Sequence, residues 1–418
     1  MEQIIKSLEL LYGENYATHK QRYERLTDQF INAFADTELH YFSTPGRTEI
    51  GGNHTDHNHG KVLAASINLD SIAVAGKNET NHVVLYSEGY KQPFDVDLST
   101  LDPIGTEAGT TASLVRGIAA HLRKKGYKTG GFNMCMSSDV LPGSGLSSSA
   151  SVEVLIGTVF NALYNNGEIA EQEIAKTGQY AENVYFGKPC GLMDQMACAV
   201  GGIIAIDFAD PQKPVVEKVN FDFSAQNYSL IVVDTGGNHA DLTADYAAIP
   251  AEMKSVATVL GGNVLRDLES NTLFKDIFSL RQKTGDRAVL RAFHFFKENE
   301  RVTQQVNELK NGNFSKFLKL VSESGDSSFK WLQNIFTTGN IQEQGITLAL
   351  AVTENYLNGI AAGASRVHGG GFAGTIQVFL PNDHIENYVK IIDQTLGENR
   401  VKVLKIRPSG TVYLNALV

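Results

Sequence analysis

Cysteine is scarce in this chain: Cys135, Cys190 and Cys198 are the only three in 418 residues. Their number and irregular spacing exclude a disulfide framework, so reduced thiols in a cytosol are expected. No apolar run reaches the ~20 residues that span a bilayer, which argues against a membrane protein. Residues 1–11 are charged and amphipathic rather than the apolar core of a secretion signal, which also points to the cytoplasm. Basic charge is in deficit, with 36 Lys and Arg against 46 Asp and Glu, a formal net of -10. A nucleic-acid surface needs a basic patch, so that balance argues against one, although a local basic groove can hide inside an acidic total. Small-molecule partners and a monomer are the expectation. The Walker A signature is missing too: neither Gly60-Lys61 nor Gly187-Lys188 is followed by Ser or Thr. Gly369-x-Gly371-x-x-Gly374 fits the dinucleotide pattern, but it reads as following a helix and preceding a strand, the reverse of what that fingerprint requires.

What remains is a chain too long for one ordinary hydrophobic core. Two domains are expected, 1–212 and 213–418, divided where the composition shifts near residues 210–214. Residues 2–34 read as helical, a peripheral cap on the first domain. Strands are expected at 40–44, 62–75, 82–87, 131–137, 202–208 and 229–234, and helices at 112–125, 152–163 and 171–185. The second half reads as mostly helical to about residue 363. Its stretch 286–322 looks like a solvated amphipathic layer. A helix at 347–362, a strand at 375–380, a further helix and strands near 401–406 and 412–414 close the chain.

Four polar, glycine-rich stretches carry the chemistry. The first, Pro45 to Gly60, packs Arg47, Glu49, Asp56 and the histidines His54, His57 and His59 between glycines, which let a ligand approach the backbone. Its histidines invite a zinc reading, but four ligands within six residues would crowd one tetrahedral centre. A polyol site fits better, and a solvated polar turn is the plain alternative. The second stretch is Gly143-Ser144-Gly145-Leu146-Ser147-Ser148-Ser149, between a strand and a helix. Helix N-termini expose unpaired N–H groups and favour phosphate, so this loop suits a nucleotide; a Ser-rich helix cap that binds nothing is the alternative. The third holds Gly191 and Asp194, where Asp194 is either a site residue or a helix N-cap. Cys190 reads as a packed small residue, since no histidine partner is evident. The fourth runs from Arg366 to Gly374.

Together these motifs resemble the galactokinase branch of the GHMP small-molecule kinases, over most of the chain from Pro45 onward. The family's first motif, Gly-Arg-Val-Asn-Leu-Ile-Gly-Glu-His-Thr-Asp-Tyr-Asn, is matched in outline by Gly46 to Asn58. Its second, Pro-x-Gly-x-Gly-Leu-Ser-Ser-Ser-Ala-Ser, is matched closely by Leu141 to Ser151, and Gly187 to Gln195 is nearly the family's own. The resemblance implies an α/β (α+β) fold of two domains with the active site in the cleft between them. It implies ATP-dependent phosphorylation of the anomeric hydroxyl of a galactose-like sugar. By match, Arg47 and Asp194 are the catalytic pair, and Ser149 and Glu182 hold Mg2+. Asn53, His54, Asp56, His57, Gly191 and Tyr246 fall at sugar-binding positions, and Gly143 to Ser149 hold the ATP phosphates.

The residue types suit that chemistry, because phosphoryl transfer asks mainly for positioning and charge stabilisation. Arg47 beside Asp194 should depress the carboxylate's pKa, which favours an orienting role with late proton acceptance. Departures from the family pattern are specific. Glu49 replaces its Asn, Gly51 its Ile, Asn53 its Glu and His57 its Tyr. In galactokinases the replaced Glu contacts the sugar's 6-hydroxyl, so an amide at position 53, together with His57, could admit a galacturonate or another C6-altered sugar. The segment around Tyr246 also lacks the paired arginines that the family often carries just beyond it. A mevalonate or homoserine kinase is disfavoured by the Gly-Arg…His-Thr-Asp motif. A sensor that has lost catalysis is disfavoured by the intact serine loop with both Arg47 and Asp194 present. A metal-dependent hydrolase using the histidines is the remaining alternative.

Overall fold

The computed structural model describes residues 2–35, 38–140, 145–237 and 242–417. Two helices open the chain, α1 (Glu2–Tyr12) and α2 (Tyr16–Phe34), where the sequence reads one. Gly13, at φ +56°, supplies the break. Strands β1 (His40–Gly51), β2 (Lys61–Lys77), β3 (His82–Ser87) and β4 (Phe94–Asp97) precede helix α3 (Thr111–Lys124) and strand β5 (Phe132–Ser138). Helices α4 (Ser148–Tyr164), α5 (Glu171–Ala181) and α6 (Met193–Val200) follow, α5 ending in a π-helical turn, Glu182–Phe186. Next come β6 (Ile203–Asp207), β7 (Val215–Val219) and β8 (Tyr228–Asp234). The helical stretch comprises α7 (Thr243–Val259), α8 (Thr272–Lys275), α9 (Ile277–Thr284), α10 (Asp286–Lys310) and α11 (Phe314–Ser327), then a second π turn, Ser328–Leu332, and α12 (Gly345–Ile360). Strands β9 (Ala364–His368) and β10 (Thr375–Pro381), helix α13 (Ile385–Leu396), β11 (Val401–Leu404) and β12 (Val412–Tyr413) end it.

The strands form two sheets. One has the order β12-β1-β2-β5-β3-β4, with β6 also on β2 and β7 beyond it; the other is β11-β8-β10-β9. Only β3 and β5 pair in parallel; every other described pairing is antiparallel. The long strand β2 binds the first sheet together: it pairs with β6 over Lys61 to Ala65 and with β5 over Ser71 to Lys77. Its sequence is apolar at both ends, Val62 to Ala65 and Ile72 to Ala75, where both faces are covered. Ala64, Ala73 and Ala75 meet Val115, Val154 and Met196 from α3, α4 and α6. On the opposite face, Ile72 and Val74 lie under Leu26 and Phe30 of α2. Leu63 and Ala65 meet Val302 of α10 and Phe317 of α11, in a core that also takes Leu230 and Val232 of the second sheet.

The change of sheet falls after β7, and β12 returns to the first sheet. Two expectations change here. The first polar stretch is half strand: β1 runs through Arg47 and Glu49, with register shifts between Pro45 and Arg47 and between Glu49 and Gly51. Such irregularities re-aim side chains and are common beside active sites. Finally, α10 is not a solvated layer. Arg291, His294, Glu298, Arg301 and Gln305 are all buried along it, and His294, Glu298 and Gln305 back residues 51–53, where β1 ends.

Candidate functional site

Arg47 leaves β1 at its bulged segment and meets Asp194 in the first turn of α6. The pair is bidentate, Nε to Oδ1 at 2.7 Å and Nη2 to Oδ2 at 2.8 Å. The remaining guanidinium nitrogen, Nη1, donates to the Gly145 carbonyl at 2.6 Å. Ser147 Oγ donates to Asp194 Oδ2. Burial alone would raise the Asp194 pKa, but the Arg47 charge and the hydrogen bonds from Arg47 and Ser147 hold it below the usual carboxylate range. Asp194 is therefore anionic at neutral pH, yet 32% of its side chain stays accessible. The N-cap position is Leu192, with Asp194 inside the helix, so the capping role is not the one it plays.

Asp56 reaches the same place from the turn after β1. Its Oδ2 would lie 1.7 Å from a Cβ built on Gly191, so the two residues touch. Its Oδ1 accepts from the His57 backbone N–H at 2.9 Å. His54 sits at φ +57° and places Nε2 2.9 Å from the Gly370 carbonyl. Burial, with His57 adding to it, pushes its pKa down to about 3. His54 is thus neutral and donates from Nε2, which leaves Nδ1 as an acceptor for a hydroxyl. His57 is exposed at the rim, its ring stacked 6.0 Å from that of His54. Tyr246, on α7, donates its hydroxyl to the Gly371 carbonyl at 2.9 Å and sets its ring edge-on to Phe372. The glycine turn between β9 and β10, two strands of the second sheet, therefore joins the same cluster. That turn lies between two strands, not after a helix as the sequence suggests.

Asn53 is placed differently from the sequence expectation. It is fully buried. Its nitrogen donates to Glu49 Oε1 at 3.0 Å and to the Gly369 carbonyl at 2.6 Å. Its oxygen accepts from Asn334 at 2.8 Å and Ser328 at 3.3 Å. Two donors and two acceptor sites are the whole capacity of an amide, so no group is left for a C6 substituent. The galacturonate expectation, which rested on this side chain, loses its basis.

The phosphate-loop expectation divides. Gly143 and Ser144 lie outside the described residues. Gly145, at φ +72°, has no room for a side chain, since a Cβ would lie 2.5 Å from Thr375 Oγ1. Leu146 buries its side chain in the core and its carbonyl accepts from the Arg47 N–H at 3.1 Å. Ser147 turns to Asp194 rather than outward. Ser148 and Ser149 open α4, where backbone N–H groups and the helix dipole favour an anion. Ser149 Oγ donates to Glu182 Oε1 at 3.2 Å. A hydroxyl and a carboxylate are the hard oxygen donors magnesium takes, and the ion needs few protein ligands when ATP supplies others. The residues therefore fit such an ion. Elsewhere, among the described residues, no three His, Cys, Asp or Glu side chains converge as a metal-binding group, and no helix is long and apolar enough to cross a membrane.

The support behind the site escaped the sequence reading. Glu298 Oε1 accepts from the Gly52 N–H at 3.0 Å, His294 donates from Nε2 to the Asn53 carbonyl and accepts at Nδ1 from Ser327 Oγ, at 2.8 Å each, and Gln305 fills the space beside Gly51. Buried Arg366 on β9 pairs with Glu49 at 2.6 Å. The signal was present as polar residues recurring every three or four positions on the apolar face of α10. Glu49 and Asn53 were each visible as departures; their contact, which exchanges the family's amide and carboxylate between two touching positions, was not.

Comparison with known proteins adds the following. The chain matches the family model "GHMP kinases N terminal domain" over residues 113–202 and "Galactokinase galactose-binding signature" over residues 28–77. It is 31% identical to a galactokinase of Actinobacillus pleuropneumoniae over 350 residues, covering 83% of this chain and 87% of that protein. To a galactokinase of Clostridium tetani it is 27% identical, covering 92% and 93%. Lactococcus lactis galactokinase complexed with galactose superposes with a TM-score of 0.80 at 27% identity, over 93% of this chain and 99% of that one. Methanococcus jannaschii mevalonate kinase shares the fold, with a TM-score of 0.60 at 15% identity, over 88% of this chain and 98% of that one.

Proposed function

This chain belongs to the galactokinase family, and from that premise we propose that it transfers the γ-phosphoryl group of ATP to the anomeric hydroxyl of galactose. The observation that carries the reading is the bidentate Arg47–Asp194 pair, beside Asp56 and Gly191 on one side and the N-terminus of α4 on the other. Asp56, Gly191, His54 and Tyr246 are assigned to the sugar, with His57 at the rim. The α4 N-terminus, with Gly143 to Ser149, is assigned to the phosphates. Asp194 orients the C1 hydroxyl; with a lowered pKa it is a weak base, so it takes the proton late, as the new O–P bond forms and the bond to the departing ADP breaks. Arg47 stabilises charge developing on the transferred group. Ser149 and Glu182 would hold magnesium, which when bound neutralises phosphate charge. The galactose preference is tested by measuring ADP release across hexoses and hexuronates. Release with galactose well above that with galacturonate is expected; release with neither, or with the hexuronate in preference, would overturn the reading.

A further inference from the structure

Beneath Ser149 and Glu182 lies an amide that neither the sugar nor the phosphates require. Gln195 Nε2 is 2.9 Å from Glu182 Oε2 and 2.9 Å from Glu153 Oε2. Gln195 and Glu153 are fully buried and Glu182 is 3% exposed. Glu153 stands one turn along α4 from Ser149, Glu182 begins the π turn, and Gln195 follows Asp194 on α6. The three elements carrying the proposed chemistry therefore meet on one nitrogen. π turns inside helices often mark functional positions, and this one places Glu182. Glu153 Oε1 and Gln195 Oε1 are both buried without a partner, an arrangement that packing alone does not call for.

We propose that Gln195, braced by Glu153, is a positioning residue that fixes the Glu182 carboxylate for a divalent cation. The inference rests on the kinase reading above. An amide suits the task because it orients a carboxylate without neutralising it, as Lys or Arg would. With Oε2 tied from behind, Oε1 is the oxygen that faces Ser149 Oγ at 3.2 Å and the exposed Lys188 Nζ at 3.4 Å. Both N–H groups of the amide are used: one holds Glu182, and the other is anchored to Glu153 so that the amide cannot rotate away.

The test uses Mn2+ as the probe and reads its binding to the full-length protein with ADP by electron paramagnetic resonance of the free ion. Gln195→Leu should raise the Mn2+ dissociation constant by about 10-fold to 100-fold, the usual effect of removing a group that orients a metal ligand. Galactose affinity, followed by the fluorescence of the single tryptophan, Trp331, should be unchanged. Glu153→Leu should weaken Mn2+ binding in the same direction, and Glu153→Gln, which keeps an acceptor oxygen, should restore it. If Gln195→Leu fails to fold, the Glu153 pair decides. Wild-type Mn2+ affinity in a folded Gln195→Leu or Glu153→Leu protein would overturn the proposal. Failure of the wild type to phosphorylate galactose would instead overturn the kinase reading, so the two failures are separable.

Discussion

Gly191→Ala is a one-carbon perturbation with a geometry that can be worked through. Gly191 does not have a positive φ, so the backbone accepts alanine without strain. The added Cβ would have three atoms of Asp56 as its nearest neighbours, Oδ2 at 1.7 Å, Cγ at 2.8 Å and Oδ1 at 3.6 Å. Carbon and oxygen settle at about 3.3 Å when not bonded, so the Asp56 carboxylate must retreat by roughly 1.5 Å. It is the end of a side chain, so the protein yields there rather than unfolding. A forced rotamer of this kind costs about 1 kcal/mol, a small fraction of a protein's stability. Function should suffer far more, because a displacement near 1 Å in a positioning group can cost about 100-fold in rate. The expected outcome is a loss of about 100-fold in kcat/KM for galactose, with KM for ATP little changed and a Tm close to wild type. A coupled ADP-release assay with each substrate varied in turn, alongside a thermal melt, measures all three. Wild-type kcat/KM for galactose in a folded Gly191→Ala protein would refute the assignment of Asp56 and Gly191 to the sugar.

Asp194→Asn keeps the shape of the side chain and removes its charge; kcat should fall by at least about 100-fold, with ATP binding by calorimetry preserved, and near-normal turnover would remove Asp194 from its role. Burial is the leading cause holding the pKa of His294 and His368 below the ordinary histidine value. Below about pH 6.5 the unfolded chain therefore binds protons that the folded one refuses, and each histidine should lower stability by up to about 1.4 kcal/mol per pH unit. The urea midpoint should drop from pH 6.5 toward pH 4.5; a flat profile would contradict the buried neutral histidines. Glu49→Asn strips buried Arg366 of its partner and should cost about 3–5 kcal/mol. Asn53→Glu should destabilise as well, by setting a second carboxylate against Glu49. The double exchange should recover much of both losses, and strict additivity in the urea-denaturation cycle would show that the contact between the two positions carries no coupling.

The motifs were legible because each is short and local. Gly46-Arg47, Ser147-Ser148-Ser149 and Met193-Asp194-Gln195 announce themselves in the chain, and the apolar runs around Val62 and Val154 announce the strand and helix that hold them. What escaped the sequence depends on contacts distant along the chain. Asn53 read as a substrate ligand because position 53 lies in the right motif; that Asn334, Ser328, Gly369 and Glu49 together exhaust its amide is a tertiary fact. The buried face of α10 read as solvated because charged residues normally are, yet Glu298 has the Gly52 N–H and Arg301 to pair with. Arg47 read as a loop residue because Pro45 and Gly46 precede it, whereas pairing with β2 resumes at Arg47 beyond a register shift and continues the strand. Strands β4 and β7 were missed because each is a short strand at a sheet edge, with few buried residues to set a pattern.

The central claim is that Arg47 and Asp194 direct a phosphoryl group from ATP to C1 of galactose. Incubating the purified protein with ATP, Mg2+ and galactose labelled with carbon-13 at C1, and following phosphorus and carbon resonances together, tests it most directly. The account predicts a new phosphorus signal coupled to the labelled C1 carbon, growing in step with ADP. A new phosphate coupled to no labelled carbon, or ADP formed without any sugar phosphate, would contradict it.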